Sequence, residues 1–86
     1  MSTAQPRAES HPAPDRVLDV TGLICPMPLL RAKLVLGELR SGEHLLVEST
    51  DPYSVMDFEA FCQETGHELV FHDERDMVFR FLIRCG

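Results

Sequence analysis

Three cysteines, Cys25, Cys62 and Cys85, are the side chains here best suited to covalent chemistry. No two stand at C-x-x-C spacing, which argues against a zinc ribbon and a dithiol redox centre, and their odd number argues against a disulfide scaffold. Any cysteine chemistry must use one thiol at a time. The four histidines, His11, His44, His67 and His72, form no i,i+4 helical pair and have no cysteine at ligand spacing, so no metal site is expected. Cys25 carries the strongest local signal, because Cys25-Pro26-Met27-Pro28 leads directly into a helical pattern of apolar residues. Proline is tolerated in the first helical turn, where an amide hydrogen has no intrahelical acceptor. The helix therefore opens at the prolines with Cys25 at its N-terminal edge. A thiol there faces free backbone amides and the positive end of the helix dipole, so Pro26, Met27 and Pro28 are expected to form a turn that stabilises an anion on Cys25.

The elements that must hold this thiol follow from periodicity. Residues 16–20 alternate apolar and polar and close at Thr21-Gly22, which predicts a first strand. The helix after Pro28 presents Leu29, Ala32, Val35, Leu36 and Leu39 to a sheet. Leu30 and Leu34 project elsewhere, on a face shared with Lys33, Gly37 and Glu38, and form either a docking patch or a contact with a second helix. Residues 44–50 (HLLVEST) predict a second strand, apolar enough for an inner position. Asp51-Pro52 reads as an N-cap followed by proline at the first helical position, and Gly66 as the left-handed residue that ends the helix. In that helix Val55, Phe58 and Cys62 share one apolar stripe, which makes Cys62 a packing residue. A third strand over 68–72, a polar loop over 73–76 and a fourth strand over 77–84 complete a β-α-β-α-β-β order. Phe79, Phe81 and Ile83 define the apolar face of the last strand, while Arg80 and Arg84 form a small basic patch on the other. Two helices in so short a chain cover one side of a sheet, giving a two-layer α/β sandwich with a mixed four-stranded sheet and both helices on the Phe81 face.

Composition bounds what such a domain can do. With 86 residues and 44% hydrophobic content, the chain supports one small core. Residues 1–15 contain three prolines and no large apolar residue beyond Met1, so they are expected to be a disordered tail ahead of a domain over 16–86. A formal charge of −6 repels phosphate backbones and anionic lipid, which argues against direct nucleic-acid or membrane binding. No apolar run approaches the roughly 20 residues that span a bilayer, and residues 1–15 contain no apolar segment suited to a secretory signal, so the cytoplasm is the expected location.

The run Gly22-Leu23-Ile24-Cys25-Pro26-Met27-Pro28 after a Leu-Asp strand, followed by a helix and the Asp51-Pro52 turn, resembles the TusA family of sulfur carriers, also called SirA-like or YedF-like. The likeness covers the chain from Leu18 onward and implies the same β-α-β-α-β-β sandwich. It further implies that Cys25 accepts sulfane sulfur as a covalent persulfide from a cysteine desulfurase or rhodanese-type donor and passes it to an acceptor protein, with no metal or organic cofactor. Destinations consistent with the likeness are tRNA thiolation, molybdenum-cofactor supply and dissimilatory sulfur oxidation. A carrier that exchanges partners can act as a monomer, with Met27, Leu30 and Lys33 around Cys25 as first-contact residues and Asp51 sharing in partner binding. Cys85 departs from the family pattern, since a basic or polar residue is expected at that position, and its place near the chain end predicts a solvent-reachable thiol. Two other classes would use the same cysteine: a non-catalytic interaction or regulatory module with Cys25 packed, and a peroxide-sensing thiol protein.

Overall fold

The computed structural model describes residues 12–86. The expected tail over 1–15 lies mostly outside the described residues. Its last member, Asp15, is hydrogen-bonded to the domain: its amide donates to the His44 carbonyl at 2.8 Å and its carboxylate accepts from the His44 amide at 2.7 Å.

Six elements follow in the order β1 (Arg16–Asp19), α1 (Met27–Leu36), β2 (His44–Ser49), α2 (Ser54–Thr65), β3 (Glu68–Arg75) and β4 (Val78–Arg84). The sheet order is β1-β2-β4-β3. The β1–β2 pair is parallel, as a helical crossover requires, whereas β2–β4 and β3–β4 are antiparallel. The sheet is therefore mixed, with both helices on one face.

Strict alternation builds the core. Leu45, Val47 and Ser49 of β2 are buried toward the helices, and β4 contributes Phe81 and Ile83 beside them. From α1 come Ala32 and Leu36, with Leu29, Val35 and Leu39 packed at the margin; from α2 come Phe58, Phe61 and Cys62. The rings of Phe58 and Phe81 stack at 4.7 Å and fix α2 on β4. Gly66 ends α2 with a φ of 82°, the left-handed conformation expected of it.

Three expectations are corrected. First, β3 continues to Arg75, because its polar residues pair across to β4, and the chain reverses at Asp76 and Met77, both at positive φ. That is the signature of a tight two-residue hairpin. Secondly, the basic patch is neutralised: Arg80 grips Asp73 through two hydrogen bonds of 3.0 and 2.7 Å, and Arg84 bonds Glu68 at 3.0 Å. The Arg80 guanidinium accordingly holds the Asp73 carboxyl below its ordinary range. Thirdly, Cys85 is buried. Its amide donates to Glu43 and its carbonyl accepts from Gly42, which extends the sheet pairing and brings the sulfur within 3.6 Å of the Leu36 carbonyl.

Because Phe58 is fully buried and stacked on Phe81, Phe58→Ala is expected to cost about 3–5 kcal/mol of folding stability, measured by chemical denaturation.

Candidate functional site

The loops leaving β1 and β2 lie side by side at the carboxyl ends of the two parallel strands, the place where open α/β sheets gather their functional groups. Two hydrogen bonds tie the loops together. Gly22, at a φ of 85° that excludes most side chains, donates its amide to Thr50 Oγ1 at 2.8 Å. Cys25 donates its amide to Asp51 Oδ2 at 2.6 Å.

Asp51 does not act as the expected N-cap. The residue capping α2 is Tyr53, without a side-chain bond, and the helix begins at Ser54. Asp51 instead makes a turn ahead of the helix: Oδ1 accepts from the Tyr53 amide at 3.1 Å and its carbonyl accepts from the Ser54 amide. Its own amide donates to Ser49 Oγ, which shares a 2.7 Å hydrogen bond with Ser54 Oγ in a fully buried pair. At 6% exposure Asp51 is withheld from a partner's surface, contrary to the partner-binding role expected of it. It anchors the Cys25 loop.

Held in this way, Cys25 is exposed, whereas Cys62 and Cys85 are buried. Burial pushes the Cys62 thiol up to about 11, which keeps it a neutral packing group. Of the two thiols expected to be reachable or reactive, Cys25 and Cys85, the structure exposes Cys25.

Its electrostatic setting differs from the expectation. Cys25 Sγ donates a hydrogen bond to Asp57 Oδ2 at 3.2 Å, and this bond, burial, and the negative charges of Asp57 and Asp51 raise the thiol above the ordinary cysteine range. The turn at Pro26, Met27 and Pro28, expected to stabilise an anion, offers few donors of its own. Pro26 and Pro28 have no amide hydrogen, the Met27 amide donates to the Ile24 carbonyl at 2.9 Å, and the Cys25 amide is committed to Asp51. Prolines that open the helix thus remove amide hydrogens from the segment next to the thiol. Met27 is the first residue of α1, and the Cys25–Pro26 peptide bond is cis.

The segments that flank the thiol and the two helices expose several large apolar side chains. Ile24 is 73% exposed and Leu34 69%, with Met27, Leu30, Tyr53 and Met56 also open to solvent. Leu30 and Leu34 therefore do not bury against α2. Lys33 remains exposed, with Nζ 5.6 Å from the centre of the Phe61 ring in a cation–π contact. Asp57 is the residue that sequence reasoning missed. Its position in the first turn of α2 was its only local signal, and that position explains an acidic residue by the helix dipole alone.

The fold is a two-layer sandwich that displays one thiol and buries the other two, and comparison with known proteins identifies its family. The sequence model of the family described as Sulfurtransferase TusA matches residues 16–85, so the chain belongs to the TusA family of sulfur carriers. It is 50% identical over 70 residues to Sulfur carrier protein TusA of Allochromatium vinosum, covering 81% of this chain and 92% of the relative. A sulfur-carrier candidate of Neisseria meningitidis serogroup A is 49% identical over 67 residues, covering 78% and 90%. The crystal structure of a SirA-like protein from Desulfitobacterium hafniense superposes with a TM-score of 0.74 at 27% identity, over 83% of this chain and 97% of that one.

Removing the carboxylate tests the hydrogen bond directly. Asp57→Asn is expected to let Cys25 ionise at lower pH, shifting the inflection of the iodoacetamide alkylation profile downward and speeding alkylation several-fold at neutral pH. An unmoved inflection would show that Asp57 does not control the thiol.

Proposed function

We propose that this chain is a sulfur carrier of the persulfide-relay type, in which Cys25 takes sulfane sulfur from a donor protein and hands it to an acceptor protein. The observation that supports this reading is the contrast among the thiols: Cys25 is exposed on an anchored loop, while Cys62 and Cys85 are buried. A second reachable thiol would attack a persulfide and discharge it as a disulfide. Membership of a sulfur-carrier family supports the same conclusion.

Loading needs no oxidant. As Sγ bonds to the outer sulfur of a donor persulfide, the bond between the two donor sulfurs breaks, and the proton of Cys25 is balanced by protonation of the departing donor thiolate. A cysteine desulfurase or a rhodanese-type protein is a donor of this chemistry. The apolar surface formed by Ile24, Met27, Leu30 and Leu34 supplies a docking patch beside the nucleophile, and Lys33 adds a cation at its edge. Exposure of Cys25 disfavours the reading in which that residue merely packs.

Incubation with a cysteine desulfurase and cysteine is expected to add one sulfur atom by intact mass, lost in Cys25→Ser and retained in Cys62→Ala and Cys85→Ala. Uptake that survives Cys25→Ser would refute the assignment. Leu34→Glu is expected to slow loading several-fold while changing stability by no more than about 0.5 kcal/mol, since Leu34 lies outside the core. Loading kinetics and a denaturation curve check both halves.

A further inference from the structure

We propose that Asp57 is a release device: the carboxylate that accepts a hydrogen bond from the empty Cys25 thiol repels the persulfide formed there and biases the sulfur toward the acceptor. This rests on the persulfide reading above. The inference comes from what the site offers each state. In the empty protein the S–H group donates to Asp57 Oδ2 at 3.2 Å. In the loaded protein Sγ has no proton to donate, and the outer S–H of a persulfide, more acidic than a thiol, ionises readily. The charged groups acting on this position are both negative, Asp57 from α2 and Asp51 from the loop before it. The four residues from Cys25 to Pro28 offer it no free amide: Cys25 and Met27 spend theirs on Asp51 and Ile24, and Pro26 and Pro28 have none. Loading therefore exchanges a favourable charge-assisted hydrogen bond for a like-charge contact.

Unloading reverses the exchange in a balanced step. An acceptor thiolate attacks the outer sulfur, the new bond forms between those two atoms, and the bond from the outer sulfur to Cys25 Sγ breaks. The sulfane sulfur keeps its oxidation state, and the proton given up by the acceptor thiol is balanced by one taken up on Sγ, which restores the bond to Asp57. Asp57 contacts the reacting sulfur in the empty state and acts on the transferred sulfur through charge.

The test uses the full-length wild type, Asp57→Asn and Asp57→Glu, each loaded with a cysteine desulfurase and cysteine and separated from the donor. Each is then equilibrated with 2-mercaptoethanol, a small neutral thiol, from mildly acidic to alkaline pH, and the loaded fraction is read by intact mass. Asp57→Asn is expected to retain several-fold more sulfur than wild type near neutral pH, with the gap closing in acid where the outer sulfur is protonated and narrowing again in alkali where the emptied Cys25 is itself ionised, and Asp57→Glu to follow wild type. Equal discharge of Asn and wild type at every pH would overturn the proposal, as would a gap that does not change with pH, which would mark a loop-structural role. If none of the proteins acquires sulfur, the carrier reading itself fails and the proposal falls with it.

Discussion

The Asp51 carboxylate is the constraint on which the site depends. One oxygen accepts the Cys25 amide and the other the Tyr53 amide, so a single buried acid joins the loop after β1 to the start of α2. A buried carboxylate is stable only when its lone pairs are satisfied, and here the partners come from two segments that are distant in sequence. The consequence reaches the sulfur. Fixing the Cys25 backbone against the start of α2 brings Sγ to Asp57, one turn into that helix. Ser49 and Ser54 complete the arrangement from below, linking the end of β2 to the first residue of α2 through a buried hydroxyl pair.

A strongly acidic thiol would be the simplest nucleophile, yet the site favours the neutral form. The proposed relay gives two reasons for this. A resting thiolate is exposed to oxidation and to attack on stray disulfides, and a site that stabilised the loaded anion would hold its sulfur against transfer. The helix N-terminus, usually a place where anions collect, is disarmed by its two prolines and by the Ile24 and Asp51 acceptors.

Much of this was legible in the sequence because it is local. The order of elements, the Val55, Phe58 and Cys62 stripe and the Gly66 terminus all follow from the periods of strands and helices and from glycine's freedom at a helix end, whereas periodicity left Leu30 and Leu34 open between solvent and α2. The parts that were not legible are tertiary. Asp57 lies 32 residues from Cys25 and meets it only because of the loop anchor. Cys85 looked frayed by position, but Gly42 and Glu43 extend the pairing past β4 and Gly86 donates to His67. The hairpin at Asp76-Met77 lacked a glycine to announce it; aspartate tolerates positive φ, and Met77 adopts it because β3 and β4 pair on either side. Arg80 and Arg84 looked like a free basic patch because their acidic partners lie on the neighbouring strand.

The most direct measurement is the intact mass of a variant that retains Cys25 as its lone cysteine, with Cys62 and Cys85 both replaced by alanine, after exposure to a sulfur-loaded cysteine desulfurase. A carrier that works through one exposed thiol gains a single sulfur atom, and cyanide removes it. A folded lone-cysteine protein that stays at its starting mass would contradict the assignment of Cys25 as the sulfur-bearing residue.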